Sequence, residues 1–117
     1  MKVIGIDHIG IAVEDLDEGA NFWKQIIGLA HLSTEDVDSQ GVVTDIYQTG
    51  AGKIELLISK HPESPIANFI KKRGTGIHHI CLQAENIDDA IHTLRNSKLE
   101  YMYMPELGKL IKVPNKE

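Results

Sequence analysis

The chain has 117 residues and a mass of 13.0 kDa, enough for one domain with its own core and too short for two. Its 42% apolar and 25% charged content is that of an ordinary globular protein, and 17 acidic against 12 basic residues leave a net charge of −5, which argues against a nucleic-acid binder. The single cysteine, Cys81, excludes an internal disulfide, and no signal-like or membrane-length apolar run is present, so a cytoplasmic, reducing setting is expected.

The first segment, VIGIDHIGIAV, alternates as a strand, with Ile9, Ile11 and Val13 on one face and His8, Gly10 and Ala12 on the other. Asp15 followed by Glu18 resembles a capping box and Gly28 is a good stop. The helix between them carries Leu16, Ala20, Trp23 and Ile27 at helical spacing, widened by Phe22 and Ile26, and Trp23 and Phe22 are expected in the core. STEDVDSQG, residues 33–41, reads as a loop. VVTDIYQTG and KIELLIS read as two strands joined by the tight GAG at 50–52, a hairpin. SPIANFIKKRG is a short helix, with Ser64 as cap, Pro65 in the first turn and Gly74 at the end. A strand, GIHHICLQA, and a helix, ENIDDAIHTLRNS, follow, the helix capped by Asn86 with Ile87, Ala90, Ile91 and Leu94 on one face. The tail holds one further strand and a loop, with GKLIKV as a second candidate strand.

The two halves repeat. IDHIGIAVEDLDEGANF overlays IHHICLQAENIDDAIHT at an offset of 71, which places His8 on His79, Leu16 on Ile87 and Asp17 on Asp88. The expected organisation is one domain built of a module over about residues 1–60, a linking helix at 64–74 and a second module from about 76 to 117.

Strand alternation places His8 and His79 away from the apolar faces that helices would cover. In KIELLIS, Ile54, Leu56 and Ile58 share one face and Glu55 takes the other. If pseudo-symmetry makes those faces converge, two imidazoles and a carboxylate meet in one cleft, a donor set for a divalent metal such as Zn, Co, Ni or Fe. The commoner roles for such residues are a structural or exposed strand histidine and a solvated glutamate on a half-exposed sheet, and the residues alone do not decide between these and a metal site.

The runs IDHIGIAVEDLDEG, QGV at 40–42, KIELLIS, SPIANFIKKRGTGIHHI and ENIDDAI resemble the vicinal oxygen chelate superfamily, which includes glyoxalase I, extradiol dioxygenases and fosfomycin-resistance proteins. The stretch from KIELL to GIHHI is most similar to its methylmalonyl-CoA epimerase branch. The resemblance implies an α+β fold of paired βαβββ modules with the second module short of its last strand. It implies metal ligation by His8, Glu55 and His79 with a divalent ion, Co, Ni or Zn, as cofactor, and it leaves His78, expected on the other face, outside that set. The function implied is enolate chemistry on a small thioester.

Two departures from the family pattern stand out. The position two residues after QGV, where the epimerases carry a catalytic glutamate, is Thr44, which cannot act as a carboxylate base. The family's last ligand is a glutamate on the final strand, and the offset of 71 puts the mate of Glu55 at position 126, past residue 117; Glu106 and Glu117 are out of register. Catalytic groups are therefore unassigned, with Asp45, Tyr47 and Glu106 next in line, and weak activity is expected. Lys71, Lys72 and Arg73 are a basic cluster suited to coenzyme A phosphates, although cations also favour a helix C-terminus. The expected partners are an acyl-CoA or glutathione thioester and a second copy of the chain. Two other readings of the same fold are a glyoxalase I-like isomerase and a non-catalytic small-molecule binding module.

Overall fold

The computed structural model describes residues 1–97, 102–104 and 110–114. Among these residues, seven strands form one sheet: β1 (Val3–Ala12), β2 (Ala30–Val37), β3 (Val42–Gln48), β4 (Lys53–Ser59), β5 (Gly76–Ala84), β6 (Met102–Met104) and β7 (Leu110–Pro114). Their order across the sheet is β2-β3-β4-β1-β5-β7-β6. The α-helices are α1 (Leu16–Ala20), α2 (Pro65–Arg73) and α3 (Ile87–Ser97), and a short 3-10 turn, Asp38–Gln40, precedes β3. The repeat is therefore architectural: β1-α1-β2-β3-β4 is answered by β5-α3-β6-β7, and β1 and β5 join the halves as antiparallel neighbours. β1 pairs β4 in parallel. The matching place beside β5 is taken by β7, which runs antiparallel.

The strand faces sort as alternation dictates. On the back face, Val13, Tyr47, Ile54 and Leu56 pack with Ile9, Ile11, Leu16, Trp23 and Leu29 beneath α1. Ala84 and Ala90 pack with Leu82, Ile87 and Leu94 beneath α3. The front face carries a third cluster: Ala12, Val42, Leu57 and Ile66, with Val37, Phe69 and Ile70. The linking helix α2 thus lies on the front, across one end of the face expected to be free of helices. Ser64 caps it by accepting from the Ala67 N–H at 3.0 Å, and Gly74 closes it at φ 75°.

Two expectations change. Residues 33–37, read as loop, belong to β2, because pairing with β3 from Ala30↔Gln48 to Val37↔Val42 satisfies a backbone whose polar side chains suit an edge strand. The first helix leaves α-geometry after Ala20 and continues as a π-helical stretch, Asn21–Ile26. The wider turn breaks the 3.6-residue spacing on which the apolar stripe was read. Trp23 packs inward, whereas Phe22 is 45% exposed and Ile26 and Ile27 are exposed with it.

Candidate metal centre

The centre lies on the front face where β1, β4 and β5 run side by side. His8 and His79 are both almost fully buried, and their Nε2 atoms lie 3.0 Å apart with the rings edge to face. Glu55, on β4, brings Oε2 to 3.1 Å from His8 Nδ1. The structure therefore brings Glu55 and His79 each to His8, Glu55 at Nδ1 and His79 at Nε2, on opposite sides of the ring. Burial pushes the Glu55 carboxyl above its ordinary range, an effect that His8 and Lys53 partly offset.

Gly10 makes this arrangement possible. It stands directly opposite His79 in the β1–β5 ladder, and the imidazole folds over it. A Cβ on residue 10 would fall 2.2 Å from His79 Cε1 and 2.6 Å from each ring nitrogen, so only glycine leaves room for the ring. Cys81, opposite His8 and on the same face, is fully buried and closes the floor beside it.

Two residues of the centre escape strand periodicity. Between Ile6 and His8, β1 carries one residue more than β5; between Gly10 and Ile11 the excess lies on β5. The extra residues are Asp7 and His78, which the repeat offset of 71 superposes. A bulge turns its extra residue out of alternation. Asp7 Oδ2 thereby reaches 2.8 Å from His8 Nδ1, with Lys53 Nζ 3.9 Å from its other oxygen. The donor atoms of Asp7, His8 and Glu55 all lie within 4.8 Å of one another. His78 reaches His79 in the same way, Nδ1 to Nδ1 at 3.0 Å, and packs edge-on against Phe69 of α2. This corrects the expectation that His78 turns to the other face. The sequence signal available for both was only adjacency to the paired histidines.

Thr44 is buried on the front face, opposite Leu57 and two residues from the Ile46↔Glu55 pair. The substitute bases fare differently. Asp45 and Tyr47 belong to the back of β3, remote from His8: Tyr47 is in the α1 core, and Asp45 lies 3.0 Å from His31 Nε2 and accepts from Tyr47 at 3.3 Å and from Thr34. Burial, then the Asp45 charge, raises the Tyr47 phenol above 10. Glu106 lies outside the described residues, as does Glu117. Lys71, Lys72 and Arg73 form the exposed last turn of α2, with the Arg73 guanidinium 5.8 Å from the Phe69 ring centre, on the helix that also touches His78.

Comparison with known proteins places the sequence and the fold. Residues 7–108 match the family model for the glyoxalase/bleomycin resistance protein/dioxygenase superfamily. The human mitochondrial methylmalonyl-CoA epimerase is 36% identical over 95 residues, covering 80% of this chain and 54% of that protein. An uncharacterised Bacillus subtilis protein is 33% identical, covering 81% and 68%. The methylmalonyl-CoA epimerase of Mycobacterium tuberculosis superposes with a TM-score of 0.79 at 30% identity, over 86% of this chain and 69% of that one. The Streptomyces coelicolor epimerase in complex with 2-nitronate-propionyl-CoA gives 0.80 at 29%, over 87% and 75%. The chain spans about half the length of the mammalian epimerases it matches. With a family model covering most of its length and the paired-module sheet in place, the chain belongs to the glyoxalase/bleomycin resistance protein/dioxygenase, or vicinal oxygen chelate, superfamily.

Proposed function

We propose that the chain is an epimerase-type enzyme that moves the proton on the carbon alpha to an acyl-CoA thioester, with methylmalonyl-CoA as the first substrate to test. The observation that carries this reading is the meeting of His8, His79 and Glu55 on one buried front face over Gly10. The donor chemistry fits a divalent ion such as Co, Ni or Zn: two imidazoles and one carboxylate, with His8 and His79 already side by side. The relatives whose names specify this reaction support the substrate class.

When bound, such an ion would stabilise negative charge on the thioester and carboxylate oxygens. The chain's own residues would do the rest. His8, His79 and Glu55 hold the ion's place, and the α2 end of the face, lined by Ala12, Val42, Leu57 and Ile66, keeps water from one side. The basic turn Lys71-Lys72-Arg73 offers charge to coenzyme A phosphates. Thr44 supplies no carboxylate, so proton transfer is expected to be slow by about 10²–10⁴-fold relative to an enzyme with a positioned base.

The test is solvent deuterium incorporation at the alpha carbon of methylmalonyl-CoA with Co, Ni or Zn added, run beside methylglyoxal–glutathione turnover. Slow, metal-dependent exchange is expected. Turnover of the glutathione adduct alone would replace this reading with the isomerase one, and thioester binding without exchange would replace it with a binding module.

A further inference from the structure

We infer that Asp7 is a positioning residue for the metal centre: it holds the His8 imidazole by Nδ1, so that Nε2 is presented toward His79 and Glu55 is released to serve as a ligand. The inference rests on the metal reading above and deepens it.

The polar contacts form a chain. His78 Nδ1 lies 3.0 Å from His79 Nδ1, His79 Nε2 lies 3.0 Å from His8 Nε2, and His8 Nδ1 lies 2.8 Å from Asp7 Oδ2. A carboxylate only accepts, so His8 carries a proton on Nδ1, and in the neutral imidazole Nε2 is then the lone pair. That lone pair is what an ion needs, and it faces the other imidazole. Two carboxylates compete for the single Nδ1 proton: Asp7 at 2.8 Å and Glu55 at 3.1 Å. With Asp7 as the acceptor, Glu55 can leave His8 without stranding a buried N–H.

Asp7 and Glu55 both approach the ring at Nδ1; Asp7 is the nearer, and its other oxygen faces Lys53 Nζ at 3.9 Å, so it is the carboxylate that stays behind His8 when Glu55 turns to an ion. Histidine ligands typically have such a carboxylate behind them, and its loss costs about 10–100-fold in metal affinity. The bulge that delivers Asp7 recurs at His78 behind His79, so both halves place a polar neighbour at Nδ1 of their histidine.

The test is Co2+ titration of the full chain, following affinity and visible absorption. Asp7→Ala should weaken binding by about 10–100-fold. Asp7→Asn, whose side-chain oxygen still accepts from Nδ1–H, should bind within a few-fold of the parent with the parent spectrum. Equal loss in both variants with an altered spectrum would make Asp7 a direct ligand and overturn the proposal; parent-like binding by Asp7→Ala would also overturn it. A parent chain that binds no Co2+ would defeat the metal reading instead. The His8 tautomer, read by 15N NMR on the metal-free chain with Glu55→Ala, tests the positioning independently of any metal: Nδ1–H with Asp7 and loss of that preference with Asp7→Ala is expected, and retention would overturn the proposal.

Discussion

Gly10→Ala gives a test whose sign separates the proposed site from an ordinary strand. A glycine inside a strand costs about 0.5–1 kcal/mol relative to alanine, so alanine at an unconstrained site should stabilise. At position 10 the added methyl meets His79 Cε1 at 2.2 Å, and the ring must retreat to at least 3.4 Å to regain ordinary contact. A shift of more than 1 Å breaks the 3.0 Å contact with His8 and exceeds the tolerance of about 0.5 Å for a preorganised ligand. Overpacking of this kind costs about 1–3 kcal/mol. Set against the backbone gain, the net is a loss of about 1–2 kcal/mol, a fall of about 4–8 °C in Tm at this chain size. Co2+ affinity should drop by more than about tenfold with it. Gly5→Ala is the internal control: it lies on the same strand with no atom within 4 Å of its added Cβ, and it should be neutral or stabilising. Calorimetry and metal titration of both variants decide the matter. A Gly10→Ala protein as stable and as tightly metal-binding as its parent would refute the stacking of His79 over residue 10.

Four further outcomes are expected. His8→Ala and His79→Ala should each abolish tight Co2+ binding in a titration, whereas His31→Ala should leave it intact and lower urea stability by about 1.5–3 kcal/mol, because it withdraws a partner from buried Asp45. Burial raises the folded pKa of Glu55 above 4.5, so its contribution to stability is fully present below that value and is lost as pH rises through the folded pKa. The metal-free stability of Glu55→Gln relative to its parent should therefore increase from pH 4 upward, read by denaturation at matched pH, while its metal affinity falls. Ser64→Ala should cost about 1 kcal/mol by uncapping α2 at the Ala67 N–H, seen as a lower urea midpoint with an unchanged slope. Light scattering should give twice the 13.0 kDa chain mass, since Ile6, Ile77 and Ile80 leave apolar surface exposed on the joined strands β1 and β5.

Strand alternation and the repeat by themselves put His8 and His79 at equivalent places and Glu55 on the matching face of the hairpin strand, because a period of two leaves little freedom once one face is apolar. Caps were equally legible: Ser64 and Asn86 bond the N–H groups of Ala67 and Asp89, since capping is a local hydrogen bond between neighbours in sequence. What escaped the sequence depended on partners far along the chain. The polar segment at 33–37 became strand because β3 offered it a ladder. The π-helical turn after Ala20 exposed Phe22 and left Trp23 to fill the core. Asp7 and His78 came to the centre through single-residue mismatches between β1 and β5. Such a mismatch exists only between two strands and leaves no period in either, so the residues proposed as ligands could be read from sequence, and the residues that touch them from behind could not.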